Sequence, residues 1–323
     1  METVELDESQ QRAVSAALAG SCVRILGGPG TGKTSVALAI VEALVASASE
    51  SAVRIVTPSR GAATRIRDEI GLRVGVATRG PLARSISSLA FDIVSASNPS
   101  GFTPRLISGG QQDADIKELL AEEIEKGRGG YWPDNLPDDV RSLREFRTQL
   151  RDLLARARDA ELIDESADKP LEKFVTLATT AKRPEWLAAA TFVEAYLRNM
   201  RDSRPGQVDP TELLQRATAL LTESPTAVRQ TLVVDDAHDL TPSQWRFVTT
   251  WAEWRGPVVV LGDPKLATTG FRGGSAAFLR DGATPIDWAA PVTLTTFHRQ
   301  SGAVMTILRN IAEAIGGPEV TIQ

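Results

Sequence analysis

The chain has 323 residues, 42% of them hydrophobic and 24% charged, which is enough for a sizeable core and suggests two compact units. Its formal charge of −5 argues against coating nucleic acid through bulk charge, and 5% aromatic content keeps any base-stacking platform small. Cys22 is the only cysteine, which excludes an intramolecular disulfide and a cysteine zinc cluster, and no apolar run approaches the ~20 residues of a membrane span. With no signal peptide at its start, a cytoplasmic protein without a membrane partner is expected.

In chain order, "CVRIL" (22–26) reads as a short buried strand, followed by a glycine-rich turn and the apolar helix "TSVALAIVEALVA" (34–46). "AVRIVT" (52–57) is a second strand, "AATRIRDEI" (62–70) a helix with a basic face, and "RVGVAT" (73–78) a third strand. Strands separated by helical stretches imply a parallel sheet with crossovers. From about 105 to 225 the pattern is helical: 111–127, 143–163, 184–200 and 210–221 are amphipathic, and glycine and proline clusters supply the turns. The α/β pattern resumes with "TLVVDD" (231–236), "PVVVLGD" (257–263) and "PVTLTTF" (291–297), then a last helix at 303–315. The expected fold is α/β, a parallel sheet with an inserted all-helical subdomain. Its parts are 1–104, the insert 105–225, and 226–323, the last holding the rest of the sheet and the start of a further domain.

"GGPGTGKT" fits G-x-x-x-x-G-K-[ST] with Gly27, Gly32, Lys33 and Thr34, directly between a strand and a helix. Glycines let backbone N–H groups wrap phosphate oxygens at a helix N-terminus; here Gly28, Gly30, Thr31 and Gly32 line that turn, with Ser35 after it. Lys33 is placed for the β- and γ-phosphates and the Thr34 hydroxyl for Mg2+, so a nucleotide is the expected ligand. Asp235, ending an apolar strand, supplies the second acidic site for the metal, and Asp236 is positioned to orient or deprotonate water. A solvated turn after a buried strand is the competing reading of the pair. Gln10, in "LDESQQRAV", carries an amide able to pair with the N6/N7 edge of adenine, although a surface glutamine on an N-terminal helix is the plainer reading.

The ordered set "LDESQQRAV", "GGPGTGKT", "VTPSRGAATRIRDEI", "ARSISSLAFDIV", "LVVDDAHDL", "VVVLGDPKLATTGFRGG" and "LTTFHRQS" resembles UvrD/Rep/PcrA-type superfamily 1 DNA helicases over nearly the whole chain. The insert, at the place of that family's subdomain 1B, looks closest to actinobacterial AdnAB-like helicase–nuclease motors. The resemblance implies Gln10 as the adenine contact, Lys33 and Thr34 as phosphate and magnesium ligands, Asp235 as the metal carboxylate and Asp236 as the base. It makes Arg299 the arginine that reaches the γ-phosphate and stabilises charge there. It further implies single-stranded DNA as a partner, held weakly by this chain alone. A second RecA-like domain would close on the nucleotide, and a helicase–nuclease subunit is a further expected partner.

The sequence also departs from the family pattern. Leu266 stands where a γ-phosphate-sensing glutamine is usual, Thr269 and Pro58 replace aromatics, Ser87 replaces histidine, and Ser35 replaces an adenine-stacking arginine. Phe297 and His298 replace an Asn-Tyr pair, and the second carboxylate is Asp236 where glutamate is usual. Phe271 is the expected remaining base stacker, with Arg60 and Arg65 near the strand path; a core phenylalanine and a solvated helix face are the alternatives. Stacking contributes roughly 1–3 kcal/mol per base, so these losses weaken single-strand grip. His238 either couples nucleotide state to DNA or is a hydrogen-bonded structural histidine. Two functions therefore remain open: the ATP-binding lobe of a motor, or a nucleotide-binding scaffold subunit in DNA repair. Because the motif series stops near Gln323, the chain is expected to be an N-terminal piece without strand-separating activity of its own.

Overall fold

The computed structural model describes residues 5–47, 52–73, 80–97, 104–164, 168–204, 206–223, 229–266, 270, 273–282, 286–298, 307 and 310. The first stretch runs through α1 (Glu8–Leu18), β1 (Val23–Leu26), α2 (Lys33–Ser47), β2 (Val53–Thr57), α3 (Arg60–Arg73), β3 (Ala83–Ser85) and α4 (Ile86–Ala96). The middle holds β4 (Arg105–Leu106), α5 (Gly109–Glu125), α6 (Asp138–Arg141), α7 (Arg144–Asp159), α8 (Glu172–Thr180), α9 (Pro184–Ser203), β5 (Gln207–Val208) and α10 (Pro210–Glu223). The last holds β6 (Thr231–Val234), α11 (Pro242–Trp254), β7 (Val258–Gly262), α12 (Ala277–Asp281) and β8 (Val292–Thr293).

Two compact units emerge: Met1–Ala90 with Thr218–Gln323, and Phe91–Ala217. These divisions fall inside α4 and α10. The sequence suggests boundaries near 104 and 225 instead, because it marks turns rather than where packing changes.

In the first unit, six parallel strands are ordered β3-β2-β6-β7-β1-β8. Every residue of β6 and β7 is buried, as a parallel strand covered on both faces requires, and their valine-rich runs suit that setting. Helix α2 adds Val36, Leu38, Ile40 and Val41 to a core shared with Val23, Ile25, Ile55, Val233, Val259 and Leu261. Since β7 lies between β1 and β6, three loops at the strands' C-terminal ends come together: the turn before α2 and the segments after β6 and β7.

The strand expected at 73–78 is not among the described elements: Arg73 closes α3, and 74–79 lie outside the described residues. A parallel neighbour of β2 is instead supplied by Ala83–Ser85, three residues too short to show a period. The predicted helix at 303–315 also lies outside the described residues, apart from Ile307 and Asn310.

The second unit is helical around a core of Trp132, Phe146, Phe174, Phe192 and Tyr196, with Trp132 and Phe146 meeting edge to face at 5.4 Å. Its one sheet among the described residues is the two-residue parallel ladder of β4 and β5, pairing Arg105 with Gln207 and Leu106 with Val208. Helix α7 stops at Asp159 rather than running to 163, because Glu161 adopts φ 55° and the Leu162 N–H turns back to the Ala157 carbonyl.

Candidate nucleotide site

The turn between β1 and α2 needs backbone that side chains disfavour: Gly30 and Gly32 have φ of 86° and 80°. A Cβ on Gly32 would also lie 2.3 Å from Gln10 Nε2, so a side chain there would displace that amide as well as strain the backbone. Thr31 is buried and its hydroxyl donates to the Gly28 carbonyl (2.9 Å). Lys33 folds back over the turn, its Nζ donating to the carbonyls of Gly27 (2.8 Å) and Gly28 (2.9 Å). Burial holds its pKa below the ordinary lysine value, and Asp263, Asp235 and Asp236 oppose that by their negative charge. Ser35 is half-buried in the first turn of α2.

Asp235 follows β6, its N–H bonded to the Val56 carbonyl of β2 (3.0 Å) and its side chain fully enclosed. Oδ2 accepts the Thr34 hydroxyl (2.8 Å) and Oδ1 accepts the Asp236 N–H (3.1 Å). Burial pushes this carboxyl up to about 6; the Asp236 charge adds to the shift, while the Thr34 and Asp236 hydrogen bonds oppose it. Asp236 itself is left-handed, at φ 56° and ψ 35°, and opens a short 3₁₀ turn over Ala237–Asp239. His238 in that turn is buried, and its Nδ1 accepts the Asp263 N–H (3.4 Å), tying the segment after β6 to the end of β7. Gly262 permits this: a Cβ there would lie 2.5 Å from Leu279 Cδ2 and 3.1 Å from the His238 backbone nitrogen.

Sequence reasoning did not single out Asp263, the leading carboxylate opposing the shift at Lys33. Its signal was available, since "PVVVLGD" ends an apolar strand in an acid just as "TLVVDD" does. Leu266 closes the following turn through its N–H to the Asp263 carbonyl (3.2 Å) and leaves an exposed apolar side chain.

Gln10 is not a surface glutamine: it is 2% exposed. Its Oε1 accepts the Asp7 N–H (3.1 Å), completing a capping box with the Asp7 carboxylate, and its Nε2 donates to the Thr31 carbonyl (3.0 Å). The same Nε2 lies 3.1 Å from His298 Nε2, which in turn lies 2.8 Å from Asp7 Oδ2. The segment before residue 299 is further fixed by the His298 N–H on the Gly30 carbonyl (2.9 Å) and the Thr295 N–H on Ser9 Oγ (3.3 Å). Phe297 lies over Gly28, with Cζ 3.4 Å from the position a Cβ would take. Hydrogen bonds from Ser9, Gln10 and His298 hold Asp7 below its ordinary pKa although burial pulls it upward. The structure thus brings Gln10, Gly28, Gly30, Thr31, Gly32, Lys33, Thr34, Asp235 and Asp236 to one end of the sheet. Arg299, Thr269, Phe271 and Arg272 lie outside the described residues. Arg60 and Arg65 are exposed on α3, while Pro58 and Ser87 are half-buried.

The Thr34 hydroxyl beside Asp235 pairs two hard oxygen donors, as a magnesium site with few protein ligands requires. No group of three or more acidic, histidine or cysteine side chains able to cage a metal occurs among the described residues. Among them, too, no helix is long and apolar enough to cross a membrane.

Comparison with known proteins gives a consistent picture. The chain is 28% identical over 327 residues to the ATP-dependent DNA helicase UvrD2 of Mycobacterium tuberculosis, and equally to that of Mycobacterium bovis, covering 97% of this chain and 44% of each relative. The RecBCD enzyme subunit RecB of Mycolicibacterium smegmatis is 35% identical over 133 residues, which is 38% of this chain and 12% of that protein. The chain therefore spans less than half the length of the helicases it matches. The model of the UvrD/REP helicase N-terminal domain matches residues 6–283, and the chain belongs to that family.

Proposed function

We propose that this chain is the ATP-binding lobe of a UvrD-like DNA helicase or translocase that acts in DNA repair or recombination. The observation that carries this reading is the convergence of Lys33, the Thr34–Asp235 pair and Asp236 at one end of the sheet. In the proposed cycle Lys33 releases the Gly27 and Gly28 carbonyls and neutralises the terminal phosphates of ATP. Thr34 and Asp235 hold Mg2+, which when bound offsets charge on the phosphate oxygens. Asp236 orients and deprotonates the attacking water, and Arg299 stabilises charge on the γ-phosphate. For Gln10 to read the adenine edge, its amide would exchange the Asp7 N–H and the Thr31 carbonyl for the base. A second RecA-like domain completes the site and converts turnover into movement along single-stranded DNA, for which Arg60, Arg65 and Phe271 are the proposed contacts.

The second reading, a nucleotide-binding scaffold subunit of a helicase–nuclease assembly, is favoured by Leu266, whose exposed side chain offers no polar atom. ATP turnover by the full-length protein, with and without single-stranded DNA, separates the two. The motor reading predicts clear stimulation by DNA. Binding of ATP with no stimulation contradicts it and supports the scaffold.

A further inference from the structure

The helical unit contains a cavity of about 140 Å³ whose chemistry the nucleotide site does not use. It lies beside the last turns of α9, β5 and the start of α10. Four guanidiniums line it, those of Arg158, Arg201, Arg204 and Arg216, against two carboxylates, Asp209 and Glu212. Arg158 is buried and pairs with Asp209 and, at 3.8 Å, with Glu212. Arg216 pairs with Glu212, and Arg204 pairs with the buried Asp115. Arg201 is exposed and forms no ion pair among the described residues. Counting Asp115 as a third carboxylate still leaves cationic charge in excess. The C-terminal carbonyls of α9 oppose an anion here, but they amount to roughly half a charge and fade within one turn, against the one full positive charge left in excess. Ile107, Leu197 and Met200 form an apolar wall beside these arginines.

We infer that this cavity is an anion site that receives a phosphate monoester, the terminal phosphate of a nucleic-acid strand. A guanidinium fork matches phosphate oxygens in pairs, and the dianionic monoester gains more from several such forks than a phosphodiester does. The cavity accommodates a small terminal group, whereas a strand running through needs a continuous groove. The apolar wall suits a sugar attached to the phosphate better than it suits a bare ion. Free inorganic phosphate shares the essential chemistry and is the alternative source.

The test uses the full chain carrying Lys33→Ala, which removes the other phosphate site, and a short labelled single strand with either a 5′- or 3′-phosphate or a hydroxyl at both ends. A phosphorylated end is expected to bind about tenfold more tightly, the effect of one charged hydrogen-bonding contact. Arg201→Gln, at an exposed position, should abolish that preference and leave nucleotide-analogue binding by otherwise wild-type protein unchanged. Inorganic phosphate that binds in an Arg201-dependent way, without any end preference, supports the cavity with the free anion as its ligand. Equal affinity for all strands together with no Arg201-dependent phosphate binding overturns the inference. A preference that survives Arg201→Gln overturns it as well.

Discussion

At Asp236 the backbone turns left-handed, a conformation that aspartate tolerates better than longer side chains do. Asp236→Glu lengthens the carboxylate arm toward the nucleotide, but it adds up to about 1 kcal/mol of backbone strain. The single change should lower the melting temperature slightly. Combined with Leu266→Gln, which restores a polar atom, it should raise DNA-stimulated turnover of the full-length protein above wild type. Turnover below wild type identifies a site adapted to Asp and Leu. Asp235 gives a pH prediction of definite sign. Its folded-state pKa of about 6 exceeds the ordinary 3.8, so its favourable contribution to stability is present below 3.8 and is lost as pH rises through about 6. Magnesium binding needs the carboxylate, so affinity for a magnesium–nucleotide analogue should fall as pH drops below about 6. A pH titration checks this, and Asp235→Asn should flatten the profile while weakening affinity throughout. The burial of Gln10 and the part played by Asp263 were not legible in the sequence, for different reasons. Gln10 looks like any polar residue of an amphipathic helix until the capping box and the Thr31 carbonyl enclose its amide. Asp263 ends an apolar strand, where the departure at Leu266 three residues later is the more conspicuous feature of the pattern.

Among the elements, α1 and α11 begin with the same device. Asp7 with Gln10 and Thr241 with Gln244 both form capping boxes, and removing either cap should cost about 1 kcal/mol of stability. Their functional consequences should differ. Asp7→Ala also removes the partner of His298 Nε2, which lies against the Gln10 amide that holds the turn before α2, so nucleotide affinity should fall. Thr241→Ala should lower the melting temperature similarly and leave affinity unchanged. Equal effects on affinity contradict the proposed role of the Asp7–Gln10–His298 cluster. The fully buried, valine-rich strands β6 and β7 and the apolar helix α2 were legible, because burial on every side writes itself as an uninterrupted apolar run. Elements below the length of a period were not: β3 has three residues, and β4 and β5 have two each. Helix α11 was not legible either, although Trp245, Val248 and Trp251 recur at helical spacing and are buried. Its neighbours on both sides carried stronger strand signals.

For the whole molecule, the proposed division of labour places nucleotide binding in this chain and movement in its cooperation with a second RecA-like domain. The 323-residue chain should therefore hold single-stranded DNA weakly and lose it steeply as salt rises, since contacts to phosphates release counterions. It should separate no strands alone; strand separation by the chain freed of contaminating helicase contradicts that division. The pattern of the sequence changes near 105 and 225, while the divisions between the compact units fall inside α4 and α10 and leave no mark in composition. The central claim is that this chain binds magnesium–ATP through the turn before α2. The direct measurement is titration of the chain with a non-hydrolysable magnesium–ATP analogue, wild type against Lys33→Ala. Lys33 is held by the carbonyls of Gly27 and Gly28 and is free to exchange them for phosphate oxygens. Its removal should weaken binding by about 10–100-fold, the worth of one or two charged hydrogen bonds. An unchanged dissociation constant contradicts the account.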